Sequence, residues 1–455
     1  MIGEQRSFQS GLSLILVSSY GIALNLSVCV TAASLGDWID RTDRLQVARR
    51  LIVFENLAVF VGTLSCWFLL SSISSENESS ASPNMDESSM VSSQQRFSEV
   101  PRSLQAIVSL LGIHVFGSLA QLLDRAFLVA IERDWVVVLS QAAGEEHFQR
   151  FLSDTNVTMK QIDLSCKVVA PGIAGLLISM IGNLKWACLV VGGINLAALF
   201  VEYSCTTKVY ALIPALSFPK HDLEPQHETD ESCVVEENTG SPSLTNITCP
   251  LWLPYNLRIY LEQPSSPGGI GLAFLYANAL TFGNGIMTSY LLYRGMPMDV
   301  VGILRGIASA IGLLGTVVYS YSVVFLSLEA TACWSVTFQC ACLAVALVSV
   351  SLVSSDKSAE AMLVSSVSLS RIGLWVFDIA VTQMQQQEIP EHIRGLVGGV
   401  QHAMNAFFTI LSFALGFVFP DPRQFQYFVL CGFTSVFFAA VLFTFGMYIP
   451  RRGLH

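Results

Sequence analysis

Gly36-Asp37-Trp38-Ile39-Asp40-Arg41-Thr42-Asp43-Arg44 separates two long apolar stretches, and Arg49-Arg50 follow at the start of the second. Glycine, spaced aspartates and arginines between hydrophobic spans make a connection too polar to lie in lipid and too short to form a domain. Tight charged loops of this kind sit between early helices of many secondary transporters. The stretch therefore reads as a cytoplasmic loop that latches a gate, and transport becomes the first hypothesis.

The composition agrees. Of 455 residues, 52% are hydrophobic and only 13% charged, and mean hydropathy is +0.56. Soluble globular chains are about one quarter charged, so the sequence implies a membrane protein. A spanning helix needs roughly 20 predominantly apolar residues. Candidate spans lie near 11–33, 51–73, 104–130, 166–184, 187–207, 268–290, 299–320, 326–353, 359–383, 396–418 and 426–449. The expectation is an all-α, polytopic protein with about eleven transmembrane helices.

The net charge of −10 gathers mainly in two polar loops, and nothing suggests a nucleic-acid partner. There is no Walker lysine loop, no His-Glu-x-x-His and no nucleophile elbow, which argues against an ATP-driven pump or a membrane enzyme. Eleven cysteines are scattered without a Cys-x-x-Cys pattern and read as packing residues. No secretory signal stands out, since the first apolar run is long enough to span.

Orientation follows the lysine and arginine bias. Segments 34–50, 131–165, 206–265 and 450–455 carry half of the 24 lysines and arginines and are expected in the cytoplasm. The serine-rich stretch 74–101 then lies outside, where Asn77-Glu78-Ser79 is a glycosylation acceptor. Asn156 and Asn246 sit in similar tripeptides but on the cytoplasmic side. Residues 217–249 are acidic and rich in Ser, Thr and Pro, as a linker between two bundles would be. The expected division is an N-terminal lobe at 1–205, a cytoplasmic linker at 206–265 and a C-terminal lobe at 266–455.

Ionisable residues inside a span are functional candidates by default. Asn195 and Glu202 are seven apart, on one face of one helix. Glu202 lies about 6–8 Å from the cytoplasmic end of its span, and Glu55 is at a similar depth in a span running the other way. Two carboxylates and an amide oxygen suit a hard or borderline divalent cation. The plainer alternative pairs Glu55 with an arginine and leaves Glu202 at the membrane interface. His114 is either a metal ligand or a packed histidine, with packing the more common outcome.

Arg371 and Asp378 are also seven apart and serve gating, structure or substrate contact. Thr281-Phe282-Gly283-Asn284-Gly285 loosens its span, either to expose carbonyls or to pack closely. Asp134, Lys160 and Asp163 are positioned to meet Asp37, Asp40 and Arg44 across the cytoplasmic face, as an inner gate or as a static surface network.

Several segments together resemble the ferroportin family of iron exporters (solute carrier family 40). They are Gly36-Asp37-Trp38-Ile39-Asp40 with Arg44, Ile131-Glu132-Arg133-Asp134-Trp135-Val136-Val137-Val138, and Ile162-Asp163 with Ala170-Pro171. Asn195-Leu196, Val201-Glu202-Tyr203 and Gly271-Leu272-Ala273-Phe274-Leu275-Tyr276 follow. Arg371-Ile372-Gly373-Leu374-Trp375-Val376-Phe377-Asp378, then Arg394-Gly395 with Gly399-Val400-Gln401 and Asn405, complete the series in family order.

The resemblance implies a major-facilitator-like, two-lobe helical bundle at the plasma membrane. It implies export of Fe2+ from the cytosol by alternating access, with iron as transported substrate and no permanently bound cofactor. Family metal sites lie one in each lobe. The first-lobe asparagine carries over to Asn195, and neighbouring ion-coordinating positions match Glu202 and Glu55, with Ca2+ a further candidate ion.

Three departures accompany the likeness. The family's first helix, with its Asp and His ligands, is not found before the first span, so a truncated chain is expected. The vertebrate Asp-Cys pair is replaced around Gly283-Asn284-Gly285, and the last-helix His is replaced within Phe437-Phe438-Ala439-Ala440. Hepcidin control is accordingly not expected. The alternatives are an exporter of cobalt or nickel, or a non-transporting truncated paralogue.

Overall fold

The computed structural model describes residues 2–79, 104–218, 252–281, 285–352, 356–419 and 421–452. Helix α1 (Ile2–Arg41) is followed almost at once by α2 (Arg44–Ser79). The expected charged loop is therefore mostly helix, and only Thr42 and Asp43 lie between the two elements. Nothing from Gly36 to Arg41 breaks a helix, and a polar last turn costs little because Asp37 and Arg41 reach water while the buried Asp40 carboxylate accepts from backbone amides of another helix. The turn itself is set by Asp43, whose Oδ1 accepts from the amides of Leu45 (3.1 Å) and Gln46 (3.0 Å), an N-cap for α2.

Helix α3 (Leu104–Leu128) runs through a π-helical turn (Val129–Trp135) into α4 (Val136–Ala142). Gly144, at φ 92°, turns the chain into α5 (Glu145–Ile181). The segment 131–165, expected as a cytoplasmic stretch, is thus helical except at this turn. Gly182, left-handed at φ 67°, ends α5, and the Asn183 side chain caps α6 (Leu184–Leu212).

Beyond residues 219–251, where most of the expected linker lies outside the described residues, come α7 (Trp252–Leu261), α8 (Ser266–Leu275) and α9 (Gly285–Tyr293). Then follow α10 (Met298–Phe325), α11 (Leu328–Leu352), α12 (Asp356–Glu388), α13 (Arg394–Val418), α14 (Phe425–Phe443) and α15 (Ile449–Arg452).

Ten helices among the described residues are long and apolar enough to cross a membrane. The span expected at 268–290 is instead broken. With 10 residues, α8 reaches only about 15 Å, half of a hydrocarbon core of about 30 Å. The chain leaves the helix at Tyr276, and other helices satisfy its backbone. Arg371 Nη2 donates to the Leu280 carbonyl (2.7 Å), and Ser435 Oγ to that of Phe274 (2.6 Å). Irregular backbone at membrane depth persists only with such partners. Residues 282–284, the expected interruption, lie outside the described residues.

In the first lobe α2 packs on α3 and α6; in the second, α12 packs on α10 and α11. The lobes meet where α1 lies along α13 and where α5 crosses α10. A Cβ on Gly36 would run into the carbonyl oxygen of Gly395, and a Cβ on Gly399 into that of Ala32. Glycine is what lets these two backbones touch. Asn77 sits near the far end of α2, opposite Arg44, with its side chain outside the described part.

Candidate gate and ion site

The lobes are fastened at one end of the bundle. Arg44, 4% exposed, begins α2 and grips the Asp134 carboxylate through Nε (3.0 Å to Oδ2) and Nη2 (3.0 Å to Oδ1). Its Nη1 donates to the Phe218 carbonyl (2.9 Å), and Nη2 also reaches the carboxylate of Glu391, between α12 and α13. One guanidinium thus ties two carboxylates from opposite lobes, a use of its planar fork that an ammonium cannot reproduce. The π-helical turn places Arg133, Asp134 and Trp135 together in the interior.

Asp40 completes this end from α1. Its two oxygens accept from the amides of Gly395 and Leu396, each at 2.8 Å. These are the first amides of α13, so a carboxylate from one lobe caps a helix of the other, favoured by the helix dipole as well as by hydrogen bonding.

Deeper in, Lys160 of α5 pairs with Asp378 of α12 at 2.7 Å. Asn156 donates to Gln386 (2.6 Å), Gln386 to the Glu132 carbonyl (2.6 Å), and Arg133 to the Thr382 carbonyl (3.4 Å). Asp378 lies ten residues before the end of α12, so the seam extends about 15 Å into the bundle. A buried seam of charge and amide pairs is stable closed; opening it leaves charges unpaired unless both sides find new partners or water.

Other expected gate residues lie elsewhere. Asp37 pairs with Arg41 (3.0 Å) one turn along α1, and Asp163 with Lys167 (2.7 Å) one turn along α5, all substantially exposed. Neither crosses to the other lobe in these pairs. Arg371 does not pair with Asp378; it supports the broken span through Leu280. Glu391, Asn156 and Gln386 were not anticipated. Glu391 directly precedes His392 in a polar connection, and the two amides have no charge to mark them inside their helices.

The ion-site candidates assemble between α2 and α6. Glu202 Oε2 accepts from Asn56 Nδ2 at 2.9 Å, and Asn195 Nδ2 donates to the Asn56 carbonyl at 3.3 Å. Asn56, 3% exposed, is therefore the hub of the pair, while Glu55 lies one residue away and half-buried. One residue turns a helix by about 100°, which takes Glu55 off the hydrogen-bonded line. It stays near enough to Glu202 and Asp124 for their charges to bear on it. Among the described residues no three His, Cys, Asp or Glu side chains form a ready metal cage. What α2 and α6 present is an oxygen-rich acidic wall, suited to attracting a divalent cation.

The Nδ1 of His114 lies 2.8 Å from the Leu110 carbonyl, and its ring meets Tyr20 edge-on at 5.3 Å. Asp124 and Arg125 lie 3.7 Å apart, as adjacent partners on α3.

The Ferroportin1 (FPN1) family profile matches residues 9–436. Solute carrier family 40 member 1 of Oryza sativa subsp. japonica is 31% identical over 97% of this chain and 85% of its own length. Ferroportin of Homo sapiens is 26% identical over 95% and 85%. Among solved structures, a bacterial homologue of the iron transporter ferroportin, outward-facing with soaked iron, superposes at TM-score 0.69 with 20% identity, covering 98% of this chain and 95% of its own. A bacterial homologue in the inward-facing state gives 0.59 with 20% identity and 97% coverage of each chain. At these identities the structures establish a shared fold.

Proposed function

The chain belongs to the ferroportin family, and on that premise we propose that it exports Fe2+ from the cytosol by alternating access. The apolar spans and the family make it a multi-pass membrane transporter and not an enzyme. The observation that carries the mechanism is a named set of cross-lobe bonds gathered toward one end of the bundle: Arg44 to Asp134 and Glu391, Asp40 to Gly395 and Leu396, and Lys160 to Asp378.

In this reading the fastened end is cytoplasmic, because the basic segments around 34–50, 206–218 and 450–452 gather there. The structure then corresponds to an outward-facing state with the inner gate shut. Opening that gate admits metal to the wall formed by Glu55, Asn195 and Glu202. Closing it again commits the ion to the outside. The plasma membrane is the proposed location. Oxygen donors of this kind also suit Ca2+, which competes for the same wall.

Iron efflux from cells expressing the protein tests the proposal, with cobalt and nickel as competing ions. Efflux above the background of untransfected cells is expected, and it should vanish in the Asn195→Ala, Glu202→Ala double variant. Unchanged efflux in that variant, at equal surface expression, would overturn the ion-site assignment; no efflux from the unaltered chain would overturn the transport reading.

A further inference from the structure

Between α5 of the first lobe and α10 and α12 of the second lies a cavity of about 780 Å³, lined by Asp163, Lys167, Arg305, Ser309, Arg371 and Trp375 among others. Three cations here face one carboxylate, and that carboxylate is already engaged, since Asp163 holds Lys167 at 2.7 Å. Arg305 and Arg371 remain. Such a lining repels a metal cation, so this cavity needs an explanation that the acidic wall across the bundle does not provide.

Arg371 is 9% exposed, and its Nε is buried with no acceptor. Nη2 donates to the neutral Leu280 carbonyl at 2.7 Å. Among the described residues no carboxylate pairs with it, because Asp378, seven residues on, belongs to Lys160. A guanidinium that is mostly desolvated, lines a cavity and has no carboxylate partner is the setting that a bound oxyanion resolves, through charge-assisted hydrogen bonds to the part of the group the cavity reaches, the sealed Nε excepted. Arg305 enters from α10; Ser309, one turn further on the same face, also lines the cavity, but its hydroxyl donates to the Arg305 carbonyl at 3.0 Å and leaves the charge to the two arginines.

We propose that this cavity is an anion site, taking a small soluble carboxylate or inorganic oxyanion between Arg305 and Arg371. Access is from the side opposite the fastened end. The Lys160–Asp378 pair lies two turns gateward of Arg371 on α12, and Arg305 sits seven residues into α10 from the other end. The site is separate from the acidic wall, and an anion there would offset charge carried by a cation in transit.

The test uses the full chain in neutral-detergent micelles, titrated with citrate and separately with inorganic phosphate, against sodium chloride of equal ionic strength. Saturable binding by calorimetry, with matching thermal stabilisation, is expected for at least one of the two. Loss of a hydrogen bond to a charged group should weaken it about ten-fold or more in Arg371→Gln and in Arg305→Gln. Arg371→Lys should retain part of the affinity, and Asp163→Asn should raise it by freeing Lys167, the opposite of its effect on any cation.

Absence of saturable binding by either probe, or equal affinity in Arg305→Gln and the unaltered chain, overturns the proposal. Should Arg371→Gln fail to fold through loss of its bond to Leu280, Arg305→Gln and Asp163→Asn decide alone. Thermal stabilisation by phosphatidylglycerol added to the micelles, lost in Arg305→Gln and with no response to either soluble probe, would assign the arginines to a lipid headgroup and also overturn it. The Asn195→Ala, Glu202→Ala double variant should bind the anion normally, which keeps this outcome distinct from failure of the iron reading.

Discussion

Lys160 of α5 and Asp378 of α12 meet at 2.7 Å across the lobe boundary, with the ammonium 5.0 Å over the Trp375 ring. The pair is largely sheltered, with side-chain exposures of 22% and 11%. It ties the two lobes well inside the bundle, where water is scarce. Its geometry makes it the deepest ion pair of the seam and the one whose rupture matters most for opening.

Replacing Lys160 by Met leaves Asp378 sheltered without a cation and should lower stability by about 3 kcal/mol. Thermal unfolding of the purified protein would register this. The exchange Lys160→Asp with Asp378→Lys should recover most of the loss. If the double exchange is no better than either single variant, the pair does not couple the lobes.

Arg44→Lys keeps the charge but not the fork that reaches Asp134, Glu391 and the Phe218 carbonyl together. Transport should fall nearly as far as in Arg44→Ala. A cysteine introduced by Gln386→Cys, at a position buried in the seam, should gain reactivity toward thiol reagents added from the gate side. Unchanged reactivity in both variants would remove Arg44 from the gate.

Gly36→Val places side-chain atoms against the Gly395 carbonyl and should hold α1 and α13 apart at the fastened end. Overpacking of this kind costs about 1–3 kcal/mol, enough to shift the balance toward an open inner gate. Gly302→Ala, whose added Cβ meets nothing within 4 Å, is the control. Equal labelling of the seam in the two variants would contradict the close-approach argument.

Asn56→Leu removes the amide that holds Glu202 at 2.9 Å. Groups that orient a metal ligand typically contribute about 10–100-fold in affinity. The apparent affinity for exported metal should fall by that order while protein abundance is unchanged. A concentration series of cytosolic iron against initial efflux rate measures it, and an unaltered half-saturation would leave Asn56 a packing residue.

Much of this was visible in the residues themselves. Hydrophobic runs marked the spans, because a helix of about 20 apolar residues is legible from composition alone. Glu202, Asn195 and Asp378 stand out as polar groups at membrane depth, whereas Lys160 reads as part of a charged cytoplasmic segment. Asn56 carried the same signal beside Glu55, but a carboxylate draws the eye before an amide. The charged stretch after Gly36 has the polarity of a loop and equally that of a helix end, and only the backbone distinguishes the two.

What sequence alone determined was the inventory: an all-α membrane chain, its approximate spans and the ionisable side chains inside the bilayer, whereas the helix break at Tyr276 belongs to the structure. What the tertiary structure decided was pairing. A step of one residue swings a side chain by about 100° around its helix, so Asn56 rather than Glu55 bonds Glu202. Lys160 and Asp378 are separated by more than two hundred positions, and no local pattern links them. Charges find partners by how helices pack, and that information belongs to all the helices at once rather than to any one of them.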